Sequence, residues 1–176
     1  MLLFWTYGYA GTSIQDLVES TELLRGSLYH TFGDKRSLYI QTLQRYGHMA
    51  LQQTTDFWNP AEPLLGNMRA MLMVIVDMPI DEKRRGSMLC NCIVEVVPHD
   101  PEIAKVVDGI LNEFKRVFQS LLERARQTGE LNAHANTTAL ARYLVSSIQG
   151  LCVTAKAGAP REELLDIVGV TLTALQ

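Results

Sequence analysis

The sequence has no apolar run approaching the roughly 18 residues that a membrane-spanning helix needs. Its start, MLLFWTYGYAG, is apolar but lacks the positively charged segment of a secretory signal. Both features point to a cytoplasmic protein without a membrane partner. Cysteine is scarce: Cys90, Cys92 and Cys152 are odd in number and have no zinc-type spacing. A disulfide framework is therefore excluded, and free thiols are expected in a reducing cytosol. Positive charge is scarce too, with 16 Lys and Arg against 19 Asp and Glu. That weighs against a general affinity for nucleic acid, so any basic footprint has to be local. Alternating strand patterns, internal repeats, low-complexity tracts and long linkers are all missing. No Ser-His-Asp, metal-ligand or phosphate-loop arrangement stands out, so neither catalysis, a metal nor a cofactor is expected.

What the chain does have is helical periodicity, and at 47% apolar residues it can bury a core. Ile103, Val106, Val107, Ile110, Leu111, Phe114, Val117, Phe118, Leu121, Leu122 and Ala125 recur at three-four spacing and so share one helix face. Asp100 suits the cap of this helix, Pro101 its first position and Glu102 its dipole, with Gly129 as the stop. The sequence HDPE therefore reads as a helix start and not as a metal site. The same signals predict helices over residues 1–7, 13–20 and 25–31, and from after Asp34 to about Phe57. Further helices are predicted over 64–76 and 87–97, over 137–156 with Asn136 as cap and a stop near Gly158, and from Pro160 to about Ala174. A charged loop is expected over 77–86. The expected fold class is all-α: a three-helix module over residues 1–46, then a larger helical domain over 47–176.

The short pair at 13–20 and 25–31 has the makings of a helix-turn-helix. Such a unit packs two helices at a steep angle and offers polar side chains of the second to a major groove. Ile14, Leu17 and Val18 supply one inward face, Leu28 and Phe32 the other. Arg25, Gly26, Ser27, Tyr29, His30 and Thr31 crowd the outer and leading faces. Arg can read guanine bidentately, and Gly allows close backbone approach. Tyr29, His30 and Thr31 suit phosphate oxygens. Lys35 opens the next helix, where its charge joins the free N–H groups of that end.

The stretch GYAGTSIQDLVESTELLRGSLYHTFGDKRSLY, residues 8–39, resembles the DNA-binding region of the TetR family of bacterial transcriptional regulators. The matching parts are the TSI start, the LYHTF end of the recognition helix and the DKRSLY opening of the fourth helix. Residues 84–104, 123–131 and 140–151 are similar to segments of the family's regulatory domains. The resemblance implies a homodimer that binds double-stranded operator DNA, most often as a repressor, and is released by a small-molecule effector. It also carries Thr12 and Ser13 into the DNA-binding set beside Arg25, Gly26, Ser27, Tyr29, His30, Thr31 and Lys35. The chain departs from the family pattern at Glu22, where Gly is usual, and at Leu24, where a Ser or Asn cap is common. Only Met1 to Tyr7 stand for the first helix and its preceding basic arm, so that helix is expected to be incomplete and DNA binding weak.

For the effector, Met68, Met71, Leu72, Ile75, Met88 and Phe114 are the expected pocket residues, since Met suits sites that accept several shapes. Trp58, Phe57 and His99 are further lining candidates. The helix over 137–156 is apolar on two sides, which suits a dimer contact that it shares with the helix over 160–174 through Leu140, Leu144, Ile148, Leu151, Leu164, Val168 and Leu172. Cys90 and Cys92 lie two apart and point to opposite sides of a helix, so they read as small buried apolar residues, as does Cys152. The alternative to a repressor is a ligand-binding or sequestering dimer with an impaired DNA-binding head. It is motivated by a head in which Arg25, Lys35, Arg36 and Arg45 are matched by Asp16, Glu19, Glu22 and Asp34.

Overall fold

The computed structural model describes residues 1–78 and 85–176. Among the described residues there are nine helices and no strand: α1 Leu2–Tyr7, α2 Ile14–Thr21, α3 Arg25–Phe32, α4 Lys35–Asp56, α5 Leu64–Val76, α6 Met88–Glu95, α7 Pro101–Thr128, α8 Thr137–Ala157 and α9 Arg161–Thr173. The fold is all-α, as the periodicity requires. Most of the charged loop expected over 77–86, namely residues 79–84, lies outside the described residues.

Capping chemistry fixes the helix ends. Asp100 Oδ1 accepts from the Glu102 and Ile103 amides, both at 3.0 Å, and starts α7. Asn136 Oδ1 accepts from the Ala139 amide at 3.0 Å and starts α8. Gly158 closes α8 in the left-handed region, φ 90°. Helix α6 is shorter than its apolar run suggests. The Val96 and Val97 amides both donate to the Cys92 carbonyl, turning the chain just ahead of Pro98, where helical geometry is disfavoured.

The chain forms two compact units. The first comprises Met1–Met49 with Ser87–Ile110. Its core contains Phe4, Leu17, Leu28, Tyr39 and Leu43 from the N-terminal helices, and Met88, Cys92, Ile103 and Val107 from α6 and α7. The Phe4 and Tyr39 rings meet edge to face at 5.0 Å, a favourable aromatic geometry. Gly47 lets α4 and α7 approach closely: a Cβ there would meet Ile110 at 2.7 Å. The second unit comprises Ala50–Gly86 and Leu111–Gln176, with α5 packed on α8 and α9. Leu64, Met68, Leu72, Phe118, Leu122 and Leu144 anchor its core.

Candidate nucleic-acid interface

Helix α2 begins with a reciprocal cap. The Ser13 hydroxyl accepts from the Asp16 amide at 3.0 Å, while Asp16 Oδ2 accepts from the Ser13 amide at 2.7 Å. These bonds hold the Asp16 carboxyl below its ordinary range, the backbone amide contributing most. Thr12 is 0% exposed, and its hydroxyl donates to the Gly8 carbonyl at 2.7 Å. Its side chain therefore locks the turn into α2 and is not available to DNA, which removes Thr12 from the contact set the resemblance implied.

Between α2 and α3 the chain turns at Glu22, which adopts φ 56° and ψ 15°. The left-handed turn of a helix-turn-helix is thus kept although a side chain occupies it. Leu24 then takes the N-cap position of α3 with no side-chain cap bond and stands 79% exposed. Both departures visible in the sequence are structural facts.

Helix α3 buries one residue, Leu28, and half-buries Phe32. Arg25, Gly26, Ser27, Tyr29, His30 and Thr31 are all exposed. The Arg25 guanidinium lies 5.7 Å from the Tyr29 ring centre, a cation–π placement that draws it along the helix. A Cβ on Gly26 would meet nothing within 4 Å, so this face is open to close backbone approach. Lys35, at the start of α4, has its ammonium 4.5 Å from the Tyr9 ring centre. Asp34 caps α4 by accepting from the Ser37 amide at 2.6 Å, and that bond holds its carboxyl below the ordinary carboxylate pKa.

Sequence reasoning missed how α6 and the start of α7 grip this head. Glu95 accepts from the backbone amides of Tyr9 and Ala10, at 3.1 and 2.8 Å, in the turn between α1 and α2. Gly8, φ 75°, makes room for it: a Cβ there would meet Glu95 at 2.5 Å. Arg36 donates to both Asp100 oxygens, at 2.6 and 2.8 Å, and to Glu102 at 2.8 Å. The Arg36 side-chain bond holds the Asp100 carboxyl well below the usual carboxylate range, with the Ile103 amide next in effect. The buried Tyr39 hydroxyl pairs with the Cys92 thiol, and burial pushes the pKa of both groups up. The only signal for these links in the sequence was Asp100 itself, read as a cap alone.

The other expected site residues divide between the units. Met68 and Leu72 are buried in the core of the second unit, with Met71, Ile75, Phe114 and Trp58 half-buried against it. Met88 is buried in the first unit. Of the seven residues expected at a dimer contact, Leu144, Leu151, Leu164, Val168 and Leu172 are buried in the chain's own core, and Leu140 and Ile148 are half-buried against it. The large apolar side chains of α8 and α9 that stand exposed are Tyr143, Val153 and Val170, while Leu140 and Ile148 keep part of their surface uncovered. Cys90 and Cys92 are buried and Cys152 is half-buried.

Two short helices at a left-handed turn, the second nearly all exposed and held by one buried leucine, define a helix-turn-helix DNA-binding regulator. The matching family models agree on both parts of the chain: "Bacterial regulatory proteins, tetR family" over residues 1–42 and "Tetracyclin repressor-like, C-terminal domain" over residues 65–164. The chain belongs to the TetR family of bacterial transcriptional regulators. It is 33% identical over 175 residues to the HTH-type transcriptional regulator YezE of Bacillus subtilis, covering 98% of this chain and 90% of that one. It is 29% identical to the transcriptional repressor ComR of Escherichia coli, covering 98% and 83%. A solved structure of a cysteine-substituted CifR complexed with 26-bp double-strand operator DNA has a TM-score of 0.85 at 28% identity, covering 99% of this chain and 91% of that one. The reduced form of E. coli NemR, at 18% identity, shares the fold with a TM-score of 0.87, covering 99% and 92%.

Proposed function

We propose that the protein is a repressor that holds operator DNA as a homodimer and releases it when a small molecule enters the second unit. The observation that carries this reading is α3, whose polar side chains face solvent on a helix with one buried residue, Leu28. The names of the relatives ComR and CifR, a repressor and an operator-bound regulator, support it. Arg25 reads bases, Gly26 admits the DNA backbone, and Ser13, Ser27, Tyr29, His30, Thr31 and Lys35 hold phosphates. Homodimerisation uses Tyr143, Val153 and Val170, which a single chain leaves exposed. The effector site draws on Met68, Met71, Leu72, Ile75 and Phe114 of the second unit, and the grip of Glu95, Asp100 and Glu102 on the head is the route by which α6 and α7 act on α3.

The experiment compares two variants on the operator across a salt series. Lys35→Ala is expected to weaken binding on all sequences and to make log K less steep in log salt by about 0.9 per lost contact. Arg25→Ala is expected to relax preference at one base position, by roughly 1–3 kcal/mol for a bidentate contact. Wild-type binding by both variants would contradict this docking. One observation favours the ligand-sequestering alternative: Arg36 is committed to Asp100 and Glu102, which leaves the head little positive charge. Absence of sequence-specific binding at any salt concentration would favour that alternative.

A further inference from the structure

At the corner between α4 and α5, the polar groups are closely accounted for. Asn67, 4% exposed, accepts from the Asn59 amide at 2.7 Å and donates to the Asn59, Glu62 and Pro63 carbonyls. The Leu64 amide donates to Glu130 at 2.5 Å, and the Trp58 amide to the Thr55 carbonyl at 3.1 Å. Against this background the Trp58 indole is the exception. Its Nε1 is the one buried side-chain nitrogen or oxygen among the described residues without a hydrogen-bond partner. The ring packs against the core of the second unit, which Met71, Met73, Ile75 and Phe114 also cover while half-buried.

A buried donor left unpaired costs about 1–3 kcal/mol, so its retention calls for an acceptor supplied at some stage of function. Binding sites for small molecules combine apolar walls with a few such polar groups. No Lys, Arg, Asp or Glu is buried among the described residues; the buried polar side chains are Thr12, Thr42, Asn67, Thr137 and Thr171. A charged ligand would find no buried counter-charge, and burying an unpaired charge is prohibitive. We propose that Trp58 is the polar anchor of the effector site, its indole N–H donating to the oxygen of a neutral, mainly apolar carbonyl compound. This rests on the reading that the second unit takes an effector, and it adds the ligand's chemical class.

The test uses the full chain with 15N-labelled tryptophan. The probes are acetophenone, propiophenone and benzophenone, each paired with the hydrocarbon in which CH2 replaces C=O: ethylbenzene, propylbenzene and diphenylmethane. At least one ketone should move the Trp58 indole proton downfield and bind about tenfold more tightly than its hydrocarbon. Trp58→Phe should erase that preference and keep the hydrocarbon's affinity. If the variant does not fold, the ketone-against-hydrocarbon comparison on the native protein still decides. No ketone moving the Trp58 signal, or a preference surviving in Trp58→Phe, overturns the proposal. The effector reading is tested separately by operator release in the same samples. A compound that releases DNA without touching the Trp58 signal leaves the effector reading standing and removes the anchor. A ketone that binds at Trp58 and never loosens DNA leaves the anchor and removes the effector role.

Discussion

Glu22 and Leu24 sit on either side of the step between α2 and α3, and each occupies a position that suits another residue type. Glu22 is the one non-glycine residue with positive φ among the described residues. An L-residue in the left-handed region is disfavoured by roughly 1–2 kcal/mol, whereas glycine forfeits about 0.5–1 kcal/mol of chain entropy on being ordered. Glu22→Gly should therefore stabilise the head by about 0.5–1 kcal/mol. Leu24→Ser should add about 1 kcal/mol by giving α3 a side-chain cap. Amide hydrogen exchange in residues 14–32 reads both gains. Faster exchange in either variant would mean that the turn is held by something other than local backbone preference. This pair was legible in the sequence, because glycine and cap positions are set by local geometry. Thr12 was not: a threonine looks the same in sequence whether its hydroxyl meets a phosphate or, as here, the Gly8 carbonyl.

At the scale of elements, the head and the start of α7 are joined by Arg36 and Asp100. The Asp100 carboxyl has a depressed pKa in the folded protein, chiefly through its bond from Arg36. Its contribution is thus fully present above the unfolded value, about 3.9, and is lost as pH falls through the lower folded value. The denaturation midpoint should be flat above about pH 5 and fall steadily below about pH 4. Asp16 and Asp34 are shifted in the same direction and share the slope. Asp100→Asn should therefore flatten the acid limb without abolishing it, in urea titrations from pH 3 to pH 6. An unchanged limb would show that the Arg36 bond carries no linkage. Helix ends such as those of α5, α7 and α8 were legible because caps, prolines and glycines act locally. The grouping of Ser87–Ile110 with the N-terminal helices was not, since apolar periodicity reports that a helix has a buried face and not what that face meets. The bonds from Glu95 to Tyr9 and Ala10 span more than 80 residues of sequence, and nothing local announces them.

At the scale of the whole molecule, the protein carries a net charge of −3, so the proposed repressor draws its affinity for DNA from the local charge of α3 and Lys35 and from the proposed pairing of two heads. A dimer presents two recognition helices to two half-sites, and the symmetry of the protein imposes inverted symmetry on the site it selects. Val170 on α9 is 67% exposed and Val153 on α8 is 53% exposed, while the leucines of the same helices fill the chain's own core. A charge at Val170 should therefore break the proposed dimer without disturbing the fold of one chain. Repression by a dimer is tested by selection from a library of random duplex DNA, with wild-type protein and Val170→Asp side by side, and sedimentation of both. Wild type is expected to sediment at twice 19.7 kDa and to enrich one inverted repeat, and Val170→Asp to sediment as a folded single chain and enrich none. Enrichment of no symmetric site by a wild-type dimer, or of the same site by a monomeric Val170→Asp, would contradict it.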